Sequence, residues 1–249
     1  MSLPKKPVIV IPARMASTRL PGKPLADING LPMIVQVMNR AKEADVGPVI
    51  IACAERKIAD AITQAGGHAV LTDPDLPSGS DRVYAAVEGI DPKGKHDAVI
   101  NVQGDLPTID PAAIRKAFAP LGKKKVDIAT LVAEITDPEE VTNPNVVKAV
   151  VSFKGGANVG RALYFSRNPV PHGAGPLYHH IGLYGFRREA LKRFVGLAQG
   201  VLEQRERLEQ LRALENGMRI DAACVDTVPL GVDTPADLDR ARAILSGDS

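Results

Sequence analysis

Four short apolar runs, Val8–Ile11, Val49–Ala52, Ala69–Leu71 and Ala98–Val102, do not alternate apolar with polar positions. A strand with one wet face alternates, so these runs predict strands covered on both faces. Helix-type segments separate or follow them at Met33–Ala44, Lys57–Ala65, Ser80–Glu88 and Pro111–Phe118. Pro111 after Asp110 marks a helix start, and Gly66-Gly67 marks a helix end. This alternation predicts an α/β chain with a mostly parallel central sheet and helices on both of its faces.

The first run stops at Pro12 and opens into a loop holding Arg14, Ser17, Thr18, Arg19, Gly22 and Lys23. Lys5, Lys6, Arg14, Arg19 and Lys23 all precede the first acidic residue, Asp27. A buried strand feeding a cationic, hydroxyl-bearing loop suits phosphate binding at the carboxyl edge of a sheet. The loop is not a Walker A loop, because Gly22-Lys23 is followed by Pro24 and lacks the upstream glycine. No G-x-G-x-x-G follows a strand, which leaves a dinucleotide-binding fold unsupported.

The second half is looser. Strands are expected at Asp127–Ala133, Val146–Phe153, Ala162–Ser166, His180–Phe186 and Arg219–Val225. Helices are expected at Arg187–Val195, Leu202–Leu214 and Pro235–Leu245, the last N-capped by Thr234. With 249 residues, a single domain accommodates all of this. Its nucleotide-binding part is expected at about 1–126 and a mixed or antiparallel lobe at about 127–200. Residues 201–249 are expected to return to the main sheet.

A net charge of +2 does not suggest general nucleic-acid binding, which needs a basic stripe. No apolar run approaches the ~18 residues of a membrane span, so no membrane insertion is expected. Cys53 and Cys224 match no metal or redox spacing and read as buried thiols in a cytoplasmic protein.

Two acidic positions stand out. Asp105 follows a strand end beside Gly104, where a carboxylate can meet a hard cation, although Gly-Asp is also an ordinary turn pair. Asp233 precedes Thr234-Pro235, where it could equally favour the positive end of the last helix.

The string from Pro12 to Pro24 resembles the P-A-R-x-x-S-T-R-L-P-G-K-P signature of the sugar cytidylyltransferases, most closely those for 3-deoxy-D-manno-octulosonate. Asn101-Val102-Gln103-Gly104-Asp105-Leu106-Pro107 resembles their metal-aspartate motif, and Gly231-Val232-Asp233-Thr234-Pro235 a second acidic element. Ser78-Gly79-Ser80-Asp81-Arg82 resembles their nucleotide-site turn, the bland alternative being a helix capped by Ser80. Two departures are visible: Leu106 where many relatives have Glu, and Cys53-Ala54 where relatives have Thr-Asp. The second puts local nucleotide contacts in question.

The resemblance implies a Rossmann-like nucleotidyltransferase fold and the transfer of CMP from CTP to an acidic sugar, activating that sugar for lipopolysaccharide synthesis. It implies catalysis by Arg14, Lys23, Asp105 and Asp233, with Mg²⁺ held by Asp105 and Asp233. It implies nucleotide contacts from Pro12, Ala13, Arg14, Arg19, Lys23, Ser78, Gly79 and Gln103. Sugar contacts are implied for Gln103, Arg167, His180, Tyr184, Glu209 and Gln210, and a homodimer is expected. A different acidic sugar, such as a sialic acid or an amino-substituted octulosonate, and a non-catalytic nucleotide-binding homologue remain open alternatives.

Overall fold

The computed structural model describes residues 3–17 and 19–247; Thr18 of the cationic loop lies outside them. The described residues form two compact units, residues 5–115 with 229–247, and residues 3–4 with 116–228.

The first unit opens with β1 (Pro7–Ala13), whose Val8 to Ile11 are fully buried. A hairpin follows, β2 (Asp27–Ile28) and β3 (Leu31–Pro32). Its turn is Asn29-Gly30, both at positive φ, the residues that a tight hairpin turn prefers. Then come α1 (Met33–Glu43), β4 (Val49–Cys53), α2 (Arg56–Gln64), β5 (His68–Leu71), α3 (Gly79–Ile90) and β6 (Ala98–Asn101). The strands lie in the order β5-β4-β1-β6, all parallel, with Ile9 opposite both Val49 and Ile100. The expected parallel sheet is therefore present, with β1 in its interior. Met33, Ile34, Val37, Met38 and Ala41 form the fully buried face of α1, at the spacing of one helical stripe.

α4 (Pro111–Phe118) carries the chain into the second unit. There β7 (Ile128–Glu134), α5 (Pro138–Thr142), β8 (Lys148–Ser152), β9 (Val159–Ser166) and β10 (Tyr178–Arg187) follow. α6 (Arg188–Val195), α7 (Val201–Glu206), α8 (Leu211–Glu215) and β11 (Ile220–Val225) complete it. The strand order is β10-β7-β11-β9-β8. Among the described pairings of this unit β7 and β11 run parallel and the rest antiparallel, so its strands are mixed, the parallel pair depending on β11 beyond the expected 127–200 lobe. The last helix, α9 (Pro235–Ser246), belongs again to the first unit. Among the described residues, no helix is long and apolar enough to cross a membrane.

Four expectations are corrected. The helix expected over Leu202–Leu214 is two helices, because Arg207 adopts the left-handed conformation (φ 54°, ψ 47°) and ends α7. Glu209 and Gln210 therefore sit in the turn before α8. Between the strands expected at Asp127–Ala133 and Val146–Phe153, where no helix is expected, lies α5, which Asp137 caps through the Glu139 N–H. α3 is capped by Ser78, not Ser80: the Asp81 N–H donates to Ser78 Oγ at 3.2 Å, and Ser80 is buried in the first turn. Cys53 is buried as expected, but Cys224 is only half-buried.

Candidate functional site

Parallel neighbours bring their carboxyl ends to the same edge, so β1 and β6 deliver their following loops to one place. After β1 come Arg14 and the cationic loop; after β6 come Gln103, Gly104 and Asp105. The fit there is tight. A Cβ on Gly104 would lie 2.8 Å from the Pro12 carbonyl oxygen and 3.2 Å from Ile34 Cδ1. Glycine is thus what allows the Asp105 turn to approach β1 so closely.

The Val232 N–H donates to the Asp105 carbonyl oxygen at 3.0 Å, which brings the 229–234 segment alongside. Thr234 holds the far side of that segment. Its Oγ accepts from the Asp237 N–H, and Asp237 Oδ2 accepts from the Thr234 N–H, a reciprocal cap on α9. Asp105 and Asp233 are separated in sequence by the whole second unit, yet they face the same cation.

That cation is Lys23. Its Nζ donates to Asp105 Oδ2 at 2.8 Å, the Val232 carbonyl at 2.9 Å and Asp233 Oδ1 at 3.0 Å. Burial alone would lower its pKa, but the two carboxylates outweigh burial and raise it. Lys23 is presented by a short 3₁₀ turn, Lys23–Leu25, entered through Gly22 at φ 71°. Arg19 adds a second, exposed ion pair to Asp233 at 3.0 Å.

These residues line a cleft of about 770 Å³, together with Pro12, Ala13, Arg14, Ser78, Gly79, Arg82 and Gln103. Four cations (Arg14, Arg19, Lys23 and Arg82) stand against two carboxylates, so the cleft favours a polyanion. All the expected nucleotide residues and both expected metal ligands thus gather in the first unit. Among the described residues, no group of three or more His, Cys, Asp and Glu side chains is placed to hold a metal. Asp105 and Asp233 do converge on a single positive charge. Two hard oxygen donors, with the remaining positions left to phosphate and water, is a usual arrangement for Mg²⁺. The pair fits that ion.

Glu55, beside the cleft, carries no obvious signal in the sequence, whereas Arg82, in its lining, ends the nucleotide-site turn. Glu55 accepts the Met15 N–H on both carboxylate oxygens at 3.0 Å, and the Ala54 N–H donates to the Ala13 carbonyl. A carboxylate thus braces the cationic loop one residue after Ala54. Buried Arg82 donates to Thr72 Oγ1 and to the carbonyls of Asp73 and Pro74, fixing the loop after β5. Burial, countered in part by Glu55, lowers its pKa, and nearby Arg14 adds to the lowering. Burial and Glu55 also push the Cys53 thiol up to about 11, which makes it inert as a nucleophile.

The expected sugar residues, apart from Gln103, lie in the second unit. His180 Nε2 is 3.0 Å from Thr130 Oγ1, and its Nδ1 is 3.5 Å from Gln210 Nε2. The Phe165 ring meets the imidazole edge-on at 4.7 Å, and the Tyr184 ring lies 5.6 Å away. Burial, with a smaller contribution from His179, pushes the His180 pKa down to about 3, so the ring is neutral. Burial and the Glu209 charge raise the Tyr184 phenol. The structure therefore gathers His180, Tyr184, Glu209 and Gln210.

Arg167 is engaged elsewhere. Its guanidinium donates to the carbonyls of Glu206 at 2.8 Å, Pro144 at 2.8 Å and Arg207 at 3.5 Å. These bonds use three of the five guanidinium N–H groups and leave two for a substrate carboxylate. Fully buried Lys148, another residue without a sequence signal, reinforces the same loop. Its Nζ donates to the Asn143 and Val146 carbonyls, both at 2.7 Å, and to that of Arg167 at 3.4 Å.

The pattern of the cytidylyltransferase family matches residues 8–220. A protein of Paramagnetospirillum magneticum named 3-deoxy-manno-octulosonate cytidylyltransferase is 68% identical, covering 96% of this chain and 97% of its own. A protein of the same name from Rhodospirillum centenum is 66% identical over 97% of this chain and 94% of its own. A solved structure of CMP:2-keto-3-deoxy-manno-octonic acid synthetase complexed with CTP superposes with a TM-score of 0.89 at 37% identity. It covers 98% of this chain and 100% of that one. A nucleotidyl transferase from Methanothermobacter, at 15% identity and a TM-score of 0.59, shares the fold.

Proposed function

This chain belongs to the cytidylyltransferase family, and we propose that it converts CTP and 3-deoxy-D-manno-octulosonate (KDO) to CMP-KDO and pyrophosphate. The anomeric hydroxyl of the sugar attacks the α-phosphorus of CTP. An oxygen–phosphorus bond forms there, the bond to the β-phosphate oxygen breaks, and the hydroxyl proton is released. No nucleophilic side chain is required, since positioning and charge stabilisation supply the catalysis. The activated sugar then serves lipopolysaccharide synthesis.

One observation carries this reading: a lysine from the cationic loop bridges two carboxylates that the fold brings together at a strand-end cleft. Arg14, Arg19 and Lys23 balance the charge of the triphosphate and of the departing pyrophosphate. Pro12, Ala13, Ser78, Gly79 and Gln103 line the nucleotide. Asp105 and Asp233 hold Mg²⁺, which when bound polarises the α-phosphate and lowers the cost of ionising the sugar hydroxyl. Lys23, which bridges those carboxylates, is assigned to the outer phosphates. His180, Tyr184, Glu209 and Gln210, with Gln103, are assigned to the sugar, and Arg167 to its carboxylate or to the loop beside it.

The same reading includes a Rossmann-like fold, a cytoplasmic location and a homodimer, all supported by the family resemblance. Of the segment 201–249 expected to return to the main sheet, the grouping of residues 229–247 with 5–115 supports the last part, while 201–228 fall in the second unit. Pyrophosphate release tests the proposal, measured with CTP against a panel of acidic sugars. KDO should give the highest kcat/KM. A sialic acid or an amino-substituted octulosonate outperforming it would reassign the substrate, and no release with any sugar would sink the enzymatic reading.

A further inference from the structure

We propose that Thr130 is a positioning residue that fixes His180 in the Nε2-protonated tautomer and thereby sets the orientation of the Gln210 amide. The inference rests on the reading that His180 and Gln210 meet the sugar.

Thr130 is a fully buried polar residue in the otherwise apolar stretch Ile128–Ala133 of β7. Its Oγ1 has three neighbours: the Leu183 carbonyl at 2.9 Å, His180 Nε2 at 3.0 Å and the Ile181 carbonyl at 3.1 Å. An irregularity in β10 creates this crowding. The register passes from Ile181 opposite Leu131 directly to Tyr184 opposite Thr130, so Gly182 and Leu183 are extra residues. Extra residues of this kind locally re-aim a strand's groups, and here two carbonyls are turned to one hydroxyl.

A hydroxyl has a single proton, and a carbonyl can only accept. With that proton given to Leu183 or Ile181, Oγ1 meets its third neighbour as an acceptor, and the neighbour must be an N–H. A neutral imidazole has one N–H, so Nε2 carries it and Nδ1 is a bare acceptor. The group facing Nδ1 is the Gln210 amide at 3.5 Å. Gln210 must then present its nitrogen to the ring and turn its carbonyl oxygen away, as an acceptor for a sugar hydroxyl. The opposite tautomer would leave three acceptors around one hydroxyl proton in a buried site, at a cost buried polar groups rarely bear.

The test uses the whole protein with ¹⁵N-labelled histidine, the His180 signals being assigned by their loss in His180→Asn. Wild type should show a protonated Nε2 and a bare Nδ1. Thr130→Val keeps the branched shape and removes the hydroxyl. It should move His180 towards the Nδ1-protonated form and raise the KM for the sugar by roughly tenfold, the loss of one oriented hydrogen bond. The KM for CTP should stay unchanged, and Thr130→Ser should restore both the tautomer and the sugar KM. A wild-type ring protonated at Nδ1 overturns the proposal whether or not the valine variant folds. So does a valine variant with wild-type tautomer and wild-type sugar KM. Gln210→Ala separates this proposal from the reading beneath it. If that variant leaves the sugar KM alone, the sugar assignment fails. If it raises the sugar KM while Thr130→Val does not, the assignment stands and the Thr130 relay is wrong.

Discussion

Replacing Lys23 with Met isolates the interaction on which the cleft is built. The ammonium, with its side chain 15% exposed, bonds Asp105 Oδ2 and Asp233 Oδ1 at 2.8 and 3.0 Å. The two oxygens are therefore no more than about 6 Å apart, where two bare charges repel by about 2.8 kcal/mol at an effective dielectric of 20 and about 0.7 kcal/mol in bulk water. The carboxylate side chains are 33% and 45% exposed, so the real repulsion falls between these limits. Loss of the ammonium also leaves the Val232 carbonyl without that donor, while water can re-solvate part of the site. Together these effects give a destabilisation of about 2 kcal/mol, or a Tm lower by roughly 4–8 °C for a chain of this size. Lys23→Met also leaves Asp105 without its ammonium partner, and Asp233 with the exposed Arg19 pair, around an opening fit for a divalent cation. Millimolar Mg²⁺ without nucleotide should then recover much of the lost Tm in the variant and change wild type little. Differential scanning calorimetry with and without Mg²⁺ reads both effects. An unchanged Tm, or equal Mg²⁺ responses in the two proteins, would refute the placement of Lys23 between the two carboxylates as a stabilising contact.

Asp105→Asn and Asp233→Asn should each lower kcat at least ~100-fold, with far-ultraviolet circular dichroism unchanged, because each removes one of two charges facing the cation; near-normal turnover at saturating Mg²⁺ would remove them from the metal site. Arg212→Leu should cost about 3–5 kcal/mol in urea unfolding, because it leaves Glu203 buried without the two guanidinium bonds, at 2.6 and 2.9 Å, that neutralise it. Burial would raise the Asp237 pKa, but bonds from Arg240, from Thr234 and from the backbone N–H groups of Asp233 and Thr234 hold it down at about 2. A depressed carboxyl contributes stability above its unfolded pKa and loses it as pH falls through the folded value. Asp237→Asn should therefore lower Tm at pH 6 and narrow its gap to wild type as pH falls from about 4 to 2; a constant gap would contradict the capping role.

The parallel sheet could be read in advance because both faces of its strands are buried, which leaves Val8–Ile11 and its neighbours uniformly apolar. Asp105 and Asp233 could be read as candidates from their turns, but their meeting only from the family resemblance. That depends on Val232 pairing with Asp105 across the whole second unit, a closure no local pattern encodes. The break at Arg207 was hidden because a left-handed residue usually announces itself as Gly or Asn, and arginine does not. The hairpin around Asn29-Gly30 went unread because two residues per strand give no alternation to accompany the turn. Glu55, Thr130 and Lys148 were invisible for another reason. Each acts through backbone groups or through another side chain, and a single polar residue beside an apolar run has many ordinary explanations.

The central claim is that the anomeric oxygen of KDO becomes bonded to the α-phosphorus of CTP. It is tested most directly by ³¹P NMR of the purified protein with CTP, Mg²⁺ and KDO labelled with ¹³C at the anomeric carbon. The expected spectrum has inorganic pyrophosphate and a phosphodiester resonance split by the labelled carbon, growing in step. An unsplit phosphodiester would mean that another hydroxyl is the nucleophile. CMP without a sugar adduct would mean that water is, and either result would contradict the account.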